Sequence, residues 1–135
     1  MTKLVIRVAT HVAALAVGFA VGVYVLPILT APDAPSVDEV ASASSQAVFS
    51  GRFSKDLKDS DFLHWGEGTV TVGPQSVTLT RSLAPGPDYK LYLSPEFVET
   101  ETDFMRLKAR MARIGDVRTF ENFVVRIRDS IDVSS

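Results

Sequence analysis

The side chain best suited to chemistry in this sequence is that of His64, which is followed directly by Trp65. An imidazole can bind a metal or transfer a proton near neutral pH. A metal site needs several ligands, and a catalytic histidine needs a nucleophile and an orienting acid. The sequence offers His64 no evident partner of either kind. We therefore interpret it as a hydrogen-bonded histidine at a strand end beside a packing tryptophan, with cofactor binding as the alternative.

Three aspartates just before this histidine are further candidate ligands: Asp56, Asp59 and Asp61. Carboxylates gathered in a loop can bind Ca²⁺. Lys55 and Lys58 oppose this, and the twelve-residue calcium loop with its central glycine and final glutamate is absent from the sequence. We expect a solvated loop here and predict no metal site.

Sequence motifs for catalysis or nucleotide binding are absent. The chain contains no G-x-S-x-G, P-loop, H-E-x-x-H or G-x-G-x-x-G pattern. It also has no cysteine, which excludes disulfides, thiolate metal sites and a cysteine nucleophile. These observations predict a protein that is not an enzyme, and they leave the cofactor unknown.

The charge balance argues against nucleic acid as a partner. The 135 residues carry a formal net charge of -2. From Val48 onward, 12 Lys and Arg stand against 13 Asp and Glu. Such a balanced domain has no general attraction to nucleic acid or to acidic surfaces. The length suits one domain together with an anchor.

An apolar segment begins the chain. Residues 8–30 include no Asp, Glu, Lys or Arg. As a helix this segment reaches roughly 35 Å, enough to cross a hydrocarbon core of about 30 Å. Lys3 and Arg7 precede it, and the next basic residue is Arg52. The sequence therefore predicts a signal-anchor transmembrane helix over residues 1–30, with residues 8–30 in the lipid bilayer, the N-terminus in the cytoplasm and the remainder extracytoplasmic.

A signal peptide that is cleaved after export is the alternative to an anchor. Residues 41–43, Ala-Ser-Ala, have the small-residue pattern of a cleavage site, but they lie far beyond the apolar segment. Residues 29–31 are better placed, although Pro32 would follow the cut. We favour retention, while a secreted domain remains the alternative.

Small residues recur every four positions on one face of the predicted helix, at Ala14, Gly18 and Gly22. Such a face allows two membrane helices to approach closely. Glycine and alanine are also common in membrane helices without any pairing. Self-association and ordinary composition are therefore both open, as is an envelope protein as partner.

The segment after the helix has the composition of a spacer. Residues 31–46 contain Pro32, Pro35 and several Ser and Asp residues. This composition predicts a flexible linker. The domain is then expected to occupy residues 47–135.

Alternating apolar and polar residues predict most of this domain as strands. Residues 47–53 form a plausible first strand, and residues 69–72 and 77–80 form a hairpin around a turn at 73–76. In the hairpin Val70, Val72, Val77 and Leu79 are expected to face the core, with the threonines outward. Two later strands are predicted at 89–93 and 123–128, with one apolar face each: Tyr89, Leu91 and Leu93, then Phe123, Val125 and Ile127.

The segment between these two strands is ambiguous. Thr102 is a candidate cap for a short helix that ends at Gly115. The same residues are compatible with an irregular loop leading into a strand at 110–117. With either outcome the pattern predicts a mainly β fold, a small antiparallel β-sandwich or barrel-like domain after one transmembrane helix.

Four blocks of sequence, in this order, resemble the DM-thirteen domain, a small all-β family often described as an electron-transfer domain. The blocks are residues 49–53, 64–70, 77–79 and 86–94. The positions that match the family pattern are Gly51, Phe53, His64, Gly68, Gly86, Pro87, Asp88, Leu91 and Leu93. The resemblance covers roughly residue 48 to the C-terminus.

The resemblance implies an extracytoplasmic, periplasmic β-sandwich that acts as a redox accessory or ligand-binding module, with His64 as a cofactor contact. In the family the proposed redox role is attached to a cysteine on a late strand, and this chain contains no cysteine. The resemblance therefore predicts a domain incomplete at its C-terminus, with an open sheet edge near residues 123–127. A non-catalytic structural or interaction domain of the cell envelope is the alternative.

Overall fold

The computed structural model describes residues 1–133. An apolar helix, α1 (Thr2–Thr30), and a short helix, α2 (Val37–Ser44), precede six strands. The strands are β1 (Phe49–Phe53), β2 (Gly66–Val72), β3 (Ser76–Leu83), β4 (Tyr89–Leu93), β5 (Ala112–Val117) and β6 (Glu121–Arg126). Helix α3 (Glu101–Leu107) and a 3₁₀ turn (Lys108–Arg110) lie between β4 and β5. The predicted mainly β domain after one apolar helix is confirmed.

Every strand pairing is antiparallel, and the strands form two separate sheets. One sheet has the order β1-β2-β3-β6, and the other consists of β4 and β5. Buried residues from both sheets form a single core: Val77, Leu79, Ile114, Val117, Phe123 and Ile127. Two sheets that share a core have the layered arrangement of a sandwich.

The predicted hairpin is present. Val70 pairs with Leu79, and Val72 pairs with Val77. Val77 and Leu79 are buried, and the two β2 valines pack against them. The predicted apolar faces of β4 and β6 also pack in this core, because their alternation matches the two-residue repeat of a strand.

The prediction of a flexible linker over residues 31–46 is wrong for residues 37–44. These residues form α2, which packs on β3 and β6 and buries Val40 to 2% exposure. Ser36 and Glu39 form a capping box at the start of the helix. The segment is mostly polar, and its composition therefore predicted a linker. One buried apolar side chain and one capping box are nevertheless enough to hold a helix against the sheet.

The prediction that the threonines of the hairpin face outward also needs correction, because one of them is buried. Thr78 lies on the face opposite the core, yet it is only 1% exposed. The α2 helix packs on this strand, and the Thr78 hydroxyl is 2.7 Å from that of Thr71. The alternation of residues predicted that this face points outward. It is covered instead, because the segment before the domain folds back onto it.

The ambiguous middle segment contains both a helix and a strand. Thr100 caps α3 in place of Thr102: its hydroxyl accepts the Asp103 N–H. The helix ends at Leu107, and Gly115 lies within β5, opposite Leu91. Each of the two open interpretations is therefore correct for one part of the segment.

The edge of the four-stranded sheet falls where it was predicted. Strand β6 pairs with β3 on one side, and no strand of residues 1–133 pairs with its other side. A bulge interrupts the β3–β6 ladder between Leu79 and Ser82. At this bulge Asn122 has a φ of 49°, and its amide oxygen accepts the Arg81 N–H at 3.0 Å.

Candidate functional site

The surroundings of His64 are built by one aspartate. Oδ1 of Asp61 accepts the N–H groups of Leu63 and His64, each at 2.7 Å. The Nδ1 atom of the His64 ring lies 3.0 Å from both carboxylate oxygens. In the tautomer that is protonated at Nδ1, the ring donates to the carboxylate and leaves the lone pair on Nε2 available. The turn therefore orients an exposed imidazole.

The same contacts affect the Asp61 carboxyl. Hydrogen bonding to the His64 side chain, and then to the Leu63 N–H, holds the pKa of Asp61 below its usual value of 3.8. A hydrogen bond to an ionised carboxylate stabilises the ionised form. The interaction between these two side chains therefore depends on ionised Asp61.

The His64 loop, residues 54–65, is attached to the segment around the start of α3. The Lys58 N–H donates to Oε1 of Glu99 at 3.3 Å, and the Lys58 ammonium lies 3.2 Å from Oε2. The Glu101 N–H donates to Asp59 at 2.6 Å. His64 lies at the edge of the shallow depression between the two segments. Of the three aspartates predicted to form a solvated loop, Asp59 therefore accepts a hydrogen bond from the distant segment, whereas Asp56 and Asp61 make local hydrogen bonds.

The donor atoms around His64 do not fit a metal centre. In the described residues, 1–133, no group of three or more His, Cys, Asp or Glu side chains is arranged to hold an ion. Asp56 accepts from the Ser54 hydroxyl, and Asp59 accepts the backbone N–H described above. His64 thus offers a single nitrogen ligand on a surface loop.

Trp65 attaches the His64 loop to the rest of the domain. Its carbonyl oxygen accepts the Ala84 N–H at 2.9 Å. The Lys55 ammonium lies 3.8 Å from the centroid of the indole ring, within cation–π range. The tryptophan therefore joins the loop to the start of β2 and to the segment after β3.

Exposed apolar side chains, which the sequence did not identify as a candidate site, occur on the segments that line this depression. Phe62 on the His64 loop is 91% exposed, and Phe97 in the facing segment is 73% exposed. Met105 on α3 is also exposed. Phe62 and Phe97 lie in short apolar stretches between charged residues, which is a sequence signal for exposed aromatic side chains. Their actual exposure depends on how two distant loops meet.

The glycines that match the family pattern differ in what they do. Gly68 has a φ of 137°, and a Cβ there would lie 2.0 Å from the Thr80 carbonyl oxygen. A Cβ on Gly86 would lie 2.8 Å from the Tyr89 ring. Gly51 has open space around it. Two of the three glycines are therefore required by close packing, and the third is not.

Most of the other matching positions lie in the core or in the turn before β4. Phe53, Leu91 and Leu93 pack against the core. Pro87 lies in the turn before β4, and the Asp88 carboxylate accepts from the Lys90 ammonium. Phe53, Leu91 and Leu93 thus have a packing role and Asp88 forms an ion pair, whereas Pro87 is exposed in its turn.

Helix α1 carries the remaining predicted site. Its side chains are largely exposed, and none is buried. A Cβ added to Gly18 or Gly22 would meet nothing within 4 Å, so the face with Ala14 is open. Within residues 1–133 this is the one helix whose length and composition would allow it to cross a membrane. Pairing and ordinary composition both remain compatible with this face.

Fold and site together define a class: a small two-sheet β domain with an oriented surface histidine, carried behind an apolar helix. Comparison of the chain with protein-family models, with curated proteins and with solved structures finds no match in any of the three. The resemblance to DM-thirteen domains stays a prediction.

Proposed function

We propose that this protein is a non-catalytic interaction domain of the cell envelope, anchored in a membrane by α1 and exposed on the extracytoplasmic side. The observation that supports this proposal is that the apolar side chains of α1 take no part in the apolar core of the β domain. The β domain encloses its own core, while α1 has 29 residues and none of them is buried. A helix of this length needs an apolar environment, and a bilayer supplies one.

The exposed aromatic side chains beside the His64 loop are the surface proposed to bind a protein partner. Phe62 and Phe97 project from loops that are fixed to each other by the Lys58–Glu99 and Asp59–Glu101 contacts. Rigid, exposed aromatic residues often make the central contacts of protein interfaces. A partner in the envelope is the proposal for this surface.

The anchored topology is tested with single cysteines, because the chain has none of its own. In intact cells, a maleimide that cannot cross membranes should label Gln75→Cys, which is exposed on the β domain. Thr2→Cys, at the start of α1, should be labelled only after permeabilisation. Labelling of both positions, or of neither, in intact cells would contradict the proposal.

The interaction surface is tested by photo-cross-linking in the same cells. A photoreactive amino acid at Phe62 should give a discrete adduct with another protein, and the same group at Gln75 should not. The adduct should disappear when Phe97 is changed to Asp. An adduct pattern at Phe62 that matches the Gln75 control would remove this surface from the proposal.

A second candidate function is a redox-accessory or ligand-binding module, favoured by the oriented His64 imidazole. The Asp61 carboxylate holds the ring as carboxylates hold ligand histidines in many proteins. Titration of the full chain in detergent with haem should give a visible band that His64→Ala removes and Leu63→Ala retains. A titration without any band that depends on His64 would eliminate this candidate.

The face on α1 distinguishes self-association from ordinary helix composition. Gly18→Leu with Gly22→Leu fills that face, while Val17→Leu with Val21→Leu changes a neighbouring one. Pairing through small residues should be lost in the first variant only, as measured by cross-linking in vesicles. Equal association of both variants would leave composition as the explanation.

A further inference from the structure

The outer end of α1 lies beside one end of the β domain. Pro27, Thr30 and Pro32 line a depression together with the turn at residues 85–88 and the segment at 116–120. We call residues 84–89 and 116–121 the helix-proximal end. Strands β3 and β5 end there, and β4 and β6 begin there.

The length of the anchor places this end at the level of the lipid headgroups. A hydrocarbon core is crossed by about 20 helical residues. Counted from Val8, the first residue of the uncharged stretch, that span ends near Pro27. Thr30 and Pro32 then lie among the headgroups, and the domain residues that share their depression lie at the same depth.

The docked segment before the domain restricts how far the domain can move from this position. The Asn122 side-chain amide donates to the Pro35 carbonyl oxygen at 3.1 Å. Val40 is buried, and the Ser76 hydroxyl donates to the Ala43 carbonyl oxygen at 3.2 Å. Only a few residues therefore separate the end of α1 from the first contact with the domain.

The side chains of the helix-proximal end suit a phospholipid surface. Tyr89 and Phe120 meet edge to face with ring centroids 6.4 Å apart, and Tyr24 lies near the outer end of α1. Tyrosine is common at membrane interfaces. The Asp88 and Asp116 carboxylates are both paired with Lys90. The basic side chain left exposed is that of Arg118, which has no ion pair within the described residues.

We propose that the helix-proximal end of the domain rests on the phospholipid headgroups of the bilayer that α1 crosses, with Arg118 contacting lipid phosphate. This inference rests on the proposed anchoring by α1. Glu121 at this end and Asp33, directly after Pro32, are also exposed and offset the charge of Arg118. The surface therefore matches zwitterionic phospholipids, whose headgroups carry both charges, and requires no anionic lipid.

The test uses fluorophores on single cysteines in the full chain, reconstituted in phosphatidylcholine vesicles. A phospholipid with a nitroxide on its headgroup quenches nearby fluorophores. Pro87→Cys places the label at the helix-proximal end, and Gln75→Cys places it at the other end of β3. At about 3.3 Å per residue, the eight residues of this strand separate its ends by roughly 25 Å.

A third label separates this inference from the proposed anchoring. Leu15→Cys lies in the middle of α1 and should be quenched by a nitroxide on the acyl chain. We expect quenching of Leu15→Cys by that lipid, and of Pro87→Cys but not Gln75→Cys by the headgroup nitroxide. Glu121→Cys should behave as Pro87→Cys does, which guards against a disturbed turn.

Each other outcome has a definite meaning. If Leu15→Cys is quenched while Pro87→Cys and Glu121→Cys match Gln75→Cys, the anchor is present and the headgroup contact is wrong. If Leu15→Cys is not quenched, both the anchor and the contact are wrong. Arg118→Gln should reduce the quenching of the Pro87 label, whereas Arg126→Gln, at the far end of β6, should not. Equal effects of these two changes would remove Arg118 from the contact.

Discussion

Gly68 and Asp61 are the two positions where a single residue determines local structure. Gly68 pairs with Arg81, and both have positive φ, 137° and 118°. Asp61 gathers three hydrogen-bond donors from the next residues of its loop. Space and backbone conformation determine which residue can occupy position 68. The hydrogen bonds of Asp61 depend on the ionisation of its carboxyl.

Substitution of Gly68 by alanine should destabilise the domain by at least about 2 kcal/mol, because the Cβ strains the backbone and overlaps the Thr80 carbonyl. Gly51→Ala is the matched control, since its Cβ enters open space, and its effect should stay within about 1 kcal/mol. Urea unfolding followed by the fluorescence of Trp65, the only tryptophan, measures both. Similar stabilities of the two variants would contradict this account of Gly68.

The His64 loop should loosen in acid. The pKa of Asp61 is lower in the folded chain than its ordinary value of 3.8. Its contribution to stability is therefore fully present above pH 3.8 and is lost as the pH falls through the lower folded value. Trp65 fluorescence should change over this acid range, and Asp61→Asn should abolish that change. An identical acid transition in the Asn variant would show that another group is responsible.

Helix α2 is the element whose position depends most on tertiary contacts. It has only eight residues, and an isolated helix of that length is unstable in water. It persists because Val40 is buried on the sheet and because Ser36 and Glu39 cap its first turn. The packing of α2 on the sheet also excludes solvent from Thr78. The outer face of β3 and the helix therefore stabilise each other.

Val40→Asp should release α2 from the sheet, because it removes a buried valine worth about 1.5–3 kcal/mol and places a charge there. Val37 on the same helix is 63% exposed, so Val37→Asp should leave the helix docked. Hydrogen exchange of the amides of residues 37–44 should accelerate in the first variant alone. Unchanged protection in Val40→Asp would mean that other contacts hold the helix.

The described residues form an apolar helix without a buried side chain and a domain with a core of its own. Among residues 1–133, the four-stranded sheet ends at β6, and an unpaired sheet edge is a potential site of association. The depression at the outer end of α1 is the place where the helix and the domain turns meet. Removal of α1 should therefore abolish the need for detergent while leaving the fold of the β domain largely unchanged.

A chain that begins at Ala31 should retain the β domain and remain soluble without detergent. Its thermal transition, followed by circular dichroism, should match that of the full chain in detergent to within a few degrees, since α1 contributes no buried side chain. The full chain should aggregate when detergent is removed. Loss of the folded signal in the shorter chain would show that α1 is part of the domain's core.

Much of the fold was predictable because its signals are local. Alternation in the hairpin and in β4 assigns each side chain to a face, and that pattern is contained in a few consecutive residues. The site was less predictable. His64 and Asp61 are three residues apart, but nothing in their spacing required the carboxylate to accept three local donors. The exposure of Phe62 and Phe97 depends on where two distant loops come together.

The sequence by itself determined the apolar helix, the strands β1 to β4 and β6, and the apolar faces of the hairpin, because hydrophobic periodicity is a property of neighbouring residues. Only the tertiary structure decided the docking of α2, the burial of Thr78 and the oriented imidazole of His64. These features arise from contacts between segments far apart in the chain or from the exact course of one loop.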